Sequence, residues 1–139
     1  MSELLPWVRE IARRGLNGSL GIEVLEVGPD RVVATMPVDD RTLQPFGLLH
    51  GGASVALAET VASFGAAARI DRARFAAVGQ EINANHLRPM RSGIVRATAV
   101  PLHVGRTSHV WAIEIVDEEG RLVCISRCTV AIVPLVRPA

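Results

Sequence analysis

The segment GGASVALAETVASFGAAARI, residues 51–70, constrains this chain more than any other. It is long, rich in alanine and free of proline, which predicts one helix over 51–70. Its apolar residues fall nearly all round the circumference, so no face suits water. Such a helix must be enclosed, and the rest of the chain says by what. Residues 19–27 and 31–38 are β-branched runs separated by Gly-Pro-Asp, a hairpin signal. Residues 76–88, 93–105, 107–117 and 121–133 read as further strands, the last two joined through Glu-Glu-Gly. Residues 1–16 place Leu4, Val8, Ile11 and Ala12 at helical spacing, predicting an N-terminal helix, and residues 39–50 form a loop broken by Pro45 and Gly47. The order predicts a single α+β domain over 1–139, with an antiparallel sheet wrapped around one central helix.

Several function classes are disfavoured by what the chain contains. The net charge is +1 and the fifteen basic residues are scattered, which speaks against a nucleic-acid partner. All fifteen are arginine, so there is neither a Schiff-base lysine nor a phosphate-loop lysine. No apolar run approaches the ~20 residues of a membrane span. The first residues lack the pattern of a secretory leader, so a cytoplasmic location is expected. Ser54 lacks the second glycine of a nucleophile elbow. The histidines at 50, 86, 103 and 109 show neither helical i, i+4 spacing nor a cysteine pair, so no metal site is expected. Cys124 and Cys128 sit four apart on one expected strand, ~13 Å from each other, too far for a disulfide. They read as buried thiols. Asn17-Gly-Ser is a glycosylation sequon that a cytoplasmic chain would leave idle.

What remains is the helix and the loop before it. Glu59 is the carboxylate of an otherwise apolar helix, with Ser63 one turn on and small residues around it that leave room for a ligand. Taken from the helix alone, Glu59 is equally well a surface glutamate or the partner of an arginine. At the other end stands His50-Gly51-Gly52. Backbone N–H groups in the first turn lack intrahelical partners and the helix dipole is positive there. Glycine lets a substrate oxygen approach them closely, and Gln44 offers an amide donor nearby. Together these groups suit an incipient oxyanion. Equally, Gly-Gly is a helix start and His50 a cap. Gly51 and Glu59 are separated by ~12 Å along the axis, yet an oxyanion donor and an attacking group must both come within about 3 Å of one carbonyl. Two antiparallel copies of the helix meet that condition, so a dimer with sites at its interface is expected.

The stretch QPFGLLHGGASVALAETVASFGA, with GQEINANHLRP and PLHVGRTSHVW downstream, is similar to the hot-dog-fold acyl-CoA thioesterases. The nearest branch includes phenylacetate-pathway, 4-hydroxybenzoyl-CoA and dihydroxynaphthoyl-CoA thioesterases. The similarity covers residues 19–133 and is most specific in the spacing of Gln44, His50-Gly51-Gly52, Glu59 and Ser63. It implies hydrolysis of acyl-CoA with an aromatic or medium acyl group, and no cofactor. Glu59 would be nucleophile or general base, and the partner's Gly51 amide would polarise the carbonyl. Gln44 and His50 would assist at the carbonyl or leaving thiol, while Ser63 would position water or the carboxylate. His86 would lie near the acyl group, and Arg88 and Arg106 near the CoA phosphates. Dimers of this family often pair into tetramers. Aromatic residues are only 4% of the chain, so Phe46 and Phe64 are the candidate aromatic lining, with plain core packing an equal reading. The alternative function is a non-hydrolytic acyl-CoA or fatty-acid binding protein of the same fold. A hot-dog dehydratase, expected to carry an Asp/His arrangement before the central helix, ranks lower.

Overall fold

The computed structural model describes residues 4–136. Two short helices, α1 (Pro6–Ile11) and α2 (Leu16–Leu20), precede the hairpin β1 (Glu23–Val27) and β2 (Val32–Pro37). The long helix α3 (Gly51–Ala67) follows, then β3 (Phe75–His86), β4 (Ile94–Val104), β5 (Ser108–Val116) and β6 (Leu122–Pro134). The six strands form one sheet in the order β1-β2-β4-β5-β6-β3, antiparallel at every pairing. Helix α3 touches all of them. The expected sheet around a central helix is the fold observed.

The alternation of side chains along a strand supplies the inner layer. On β5, His109, Trp111, Ile113 and Ile115 are buried, and on β6 so are Cys124, Cys128, Val130 and Ile132. They meet Leu57, Ala58, Val61, Ala62 and Ala66 from the helix. Mid-helix glycine weakens a helix by ~1 kcal/mol relative to alanine, but Gly65 has a packing reason. A Cβ there would stand 2.5 Å from the Trp111 ring, so the missing side chain lets the indole lie against the backbone. Both cysteines are free and buried.

Three boundaries differ from the sequence expectation by more than two residues. The N-terminal helix expected over 1–16, of which residues 1–3 lie outside the described residues, is two helices. Gly15 at φ 60° breaks the run between them, a left-handed conformation that glycine adopts readily. The strand expected from residue 19 starts at Glu23, because residues 16–20 are helical and Gly21 caps them at φ 72°. The central helix, expected to reach residue 70, ends at Ala67. Asp71 begins a turn there, its carbonyl accepting from Arg74 and Phe75 N–H and its Oδ1 from Ala73 N–H. Among the described residues no helix is long and apolar enough to cross a membrane.

Candidate active site

The loop before α3 is anchored by Thr42, which is 2% exposed. Its hydroxyl donates to the Pro37 carbonyl at 2.7 Å and accepts from Asp39 N–H, while its carbonyl accepts from His50 N–H. This fixes the point at which the helix begins. His50 is then the cap: its Nδ1 accepts from Gly52 N–H at 2.7 Å, and its carbonyl accepts from Ala53 and Ser54. Of the four amides in the first turn, only that of Gly51 has no partner among the described residues. It is the amide left to bind an oxyanion.

Two further groups converge on it. A Cβ at residue 51 would lie 2.8 Å from His86 Nε2, so the imidazole at the end of β3 rests against the glycine. Gln44 turns its Oε1 toward its own loop, accepting from Phe46 N–H at 2.5 Å and Leu48 N–H at 3.3 Å. Its amide nitrogen is thereby left as a donor. Gln44, Gly51, His86 and Arg88 line one cavity of about 340 Å³. His50 borders this region as the cap rather than as a lining residue.

Glu59, Ser63 and Phe64 belong to another cavity, of about 580 Å³, walled by α1, α3 and the start of β3. Glu59 is half-buried and has no hydrogen-bond or ion-pair partner among the described residues, Ser63 included. Its position is set by Gly79. A Cβ built on that glycine would overlap Glu59 Oε1, and the β3–β6 register shifts at the same place, between Gly79 and Glu81. The carboxylate therefore lies across a bulged strand where no side chain intervenes. Beneath it, burial pushes the Cys128 thiol up to about 12, with the negative charges of Glu59 and Glu81 adding to the effect. Next to Glu59, the Thr60 hydroxyl donates to the Ala56 carbonyl at 2.7 Å and lies 3.2 Å from Asn17 Oδ1, and Asn17 Nδ2 donates to the Ala12 carbonyl at 3.0 Å. These contacts hold the α1–α2 corner against the helix and shape the cavity wall.

Two residues named from sequence stand apart. Phe46 is 85% exposed at the loop tip, and Arg106 is exposed in the β4–β5 turn; neither lines either cavity. Conversely, sequence reasoning passed over Thr42, Gly79, Trp7 and Arg72. Gly79 carried a signal, since an isolated glycine inside a strand marks a bulge or a close approach. The polar role of Asn17 was hidden under a glycosylation pattern. Among the described residues no cluster of His, Cys, Asp and Glu is suited to a metal ion.

The thioesterase superfamily model matches residues 46–124. A 1,4-dihydroxy-2-naphthoyl-CoA hydrolase of Escherichia coli is 51% identical over 134 residues, covering 91% of this chain and 98% of that protein. A proofreading thioesterase, EntH, of Cronobacter turicensis is 48% identical over 134 residues, covering 91% and 97%. The crystal structure of a mutant thioesterase from Pseudomonas aeruginosa superimposes with a TM-score of 0.91 at 44% identity, covering 97% of each chain. Sequence and architecture agree: the chain belongs to the thioesterase superfamily, has the hot-dog fold and is an enzyme that hydrolyses thioesters.

Proposed function

We propose that the protein hydrolyses acyl-CoA thioesters with an aromatic or medium acyl group, at sites shared between two protomers. Glu59 of one protomer attacks the carbonyl carbon directly or removes a proton from the water that does. The Gly51 N–H of the other, with the Gln44 amide, holds the oxygen as it becomes negative. Collapse of that intermediate expels the CoA thiolate. A thiol has pKa near ~8.5, so the leaving group departs without a strong general acid, and no cofactor enters the scheme. Ser63, one helical turn from Glu59, orients the water or the carboxylate. His86, resting on Gly51, and His50, capping the helix, shape the carbonyl end. Arg88, and Arg106 in its exposed turn, face the CoA phosphates. Phe64 lines the acyl cavity, and Phe46 meets the substrate or the neighbouring protomer.

One observation carries this reading: the candidate groups divide between two cavities, an unclaimed amide in one and an unpaired carboxylate in the other. The helix places them too far apart to serve one carbonyl within a protomer. The long strand β3 supports the pairing. It is an edge of the sheet, with Val78 within it and Leu87 just past its end about half exposed, and an open edge is a template for a second copy. Dimers of this kind can pair again into tetramers. The cytoplasm, where CoA esters are made and used, is the expected setting.

The test is release of free thiol from a panel of acyl-CoA esters by wild type and Glu59→Ala. The expected result is turnover by wild type and a loss of about a hundredfold or more in the variant. A variant that keeps most of the wild-type rate would remove Glu59 from the mechanism. Single-turnover hydrolysis in oxygen-18 water separates the two routes, since label entering Glu59 marks a covalent anhydride.

A further inference from the structure

The larger cavity carries opposite charges at two places. Glu59 is the one carboxylate among its described lining residues, and Arg72 is the one cation. Arg72 lies in the turn between α3 and β3, with its guanidinium 3.8 Å from the centroid of the Trp7 ring. Trp7 packs on Phe64 with ring centroids 6.0 Å apart. Phe64 in turn follows Glu59 by five residues, roughly 7.5 Å along the helix axis. Arg72 thus stands at the exposed rim of the cavity, beyond the aromatic pair.

It is also unmatched. Asp71 beside it spends an oxygen on Ala73 N–H, Arg69 pairs with Asp30, and Arg72 has no ion pair among the described residues. A guanidinium seated on a ring engages through its face, so the N–H donors in its plane remain free. The stack on Trp7 holds those donors in place beside the cavity.

Resting on the thioesterase reading above, we propose that Arg72, held by Trp7, recognises acyl groups that carry a carboxylate at the end remote from the thioester. An apolar cavity alone rejects such a group, because a carboxylate loses its hydration there. Here its charge is drawn to Arg72 and repelled by Glu59, and both effects turn the thioester carbonyl toward Glu59. Trp7, Phe64 and Phe75 give the body of the acyl group flat apolar walls, which suits an aromatic ring.

The experiment compares 4-carboxybenzoyl-CoA with 4-methylbenzoyl-CoA, which differ little in size, using wild type, Arg72→Met, Arg72→Glu and Arg72→Lys. The quantity read is the ratio of kcat/KM for the carboxy ester to that for the methyl ester. The ratio is expected to fall about five- to tenfold in Arg72→Met, chiefly through KM. It falls further in Arg72→Glu and is kept in part in Arg72→Lys. An unchanged ratio in both Arg72→Met and Arg72→Glu would overturn the proposal, as would equal losses on both esters. Non-hydrolysable thioether analogues of the same two compounds, titrated by calorimetry, must give the same ratio in affinity. Should wild type cleave neither ester, the aromatic-acyl part of the proposed function fails, while analogue binding still decides the role of Arg72.

Discussion

Gly79 and the Glu59 carboxylate occupy one place in the fold: a side chain on the first would overlap Oε1 of the second. The strand bulges at that glycine, so the backbone of β3 is a platform for the acid. A glycine in a strand lowers local stability, and at this point it keeps the site open for the carboxylate.

Gly79→Ala is therefore expected to displace Glu59 and lower kcat by ~10- to 100-fold, the scale of an ångström of misplacement. Strand distortion would do the same, so a double-mutant cycle separates the causes. Glu59→Asp withdraws the carboxylate by one methylene, out of reach of a methyl group at residue 79. With the pair combined, kcat is expected to be no lower than for Glu59→Asp alone. Losses that multiply would assign the effect to the strand.

Gly65 has a similar relation to Trp111, but in the core. A methyl group there meets the indole at 2.5 Å in a place with no room to yield. Gly65→Ala should gain helix propensity yet lose ~1–3 kcal/mol overall through overpacking, read from urea unfolding. A stabilised variant would mean that the indole moves freely.

His109 gives the fold a pH dependence of its own. It is 2% exposed, its Nδ1 has no partner, and burial, followed by the charges of Arg69 and His103, holds the imidazole below its ordinary range. The unfolded chain therefore binds this proton more readily. The stability His109 contributes is complete above about pH 6.5 and is lost as pH falls through the lower folded value. In His109→Leu, the decline of Tm as pH falls from about 6.5 should flatten. An unchanged slope would show that other groups set it. Asp39, held down by Arg41, loses its contribution only below the ordinary carboxylate range, outside that window.

The fold was legible because its signals were strong and local. Twenty residues without proline, apolar on every side, leave few alternatives to enclosure by a sheet. Boundaries were less legible, since Gly15 and Gly21 act through backbone conformations that periodicity does not register. The site divided in the same manner. Glu59, Gly51 and Gln44 stand out by residue type and spacing. The N–H that remains free at Gly51 emerged only when His50 was seen to use its neighbours. Arg72 and Trp7 lie 65 residues apart in the sequence and meet through tertiary folding alone. Nothing in either local segment announces the pair.

The central claim, that one protomer supplies the acid and the other the amide, is tested most directly by mixing two damaged proteins. Glu59→Gln removes the acid. Gly51→Pro removes the amide hydrogen at the first helical position, where proline is tolerated, and His50 at ψ 128° already suits a following proline. Each variant alone is expected to be nearly inactive. Unfolded and refolded together at equal concentration, half the dimers are mixed, and each mixed dimer has one site with both lesions and one with neither. The account predicts recovery to about a quarter of wild-type activity. A mixture that forms mixed dimers by native mass spectrometry yet stays inactive would contradict it.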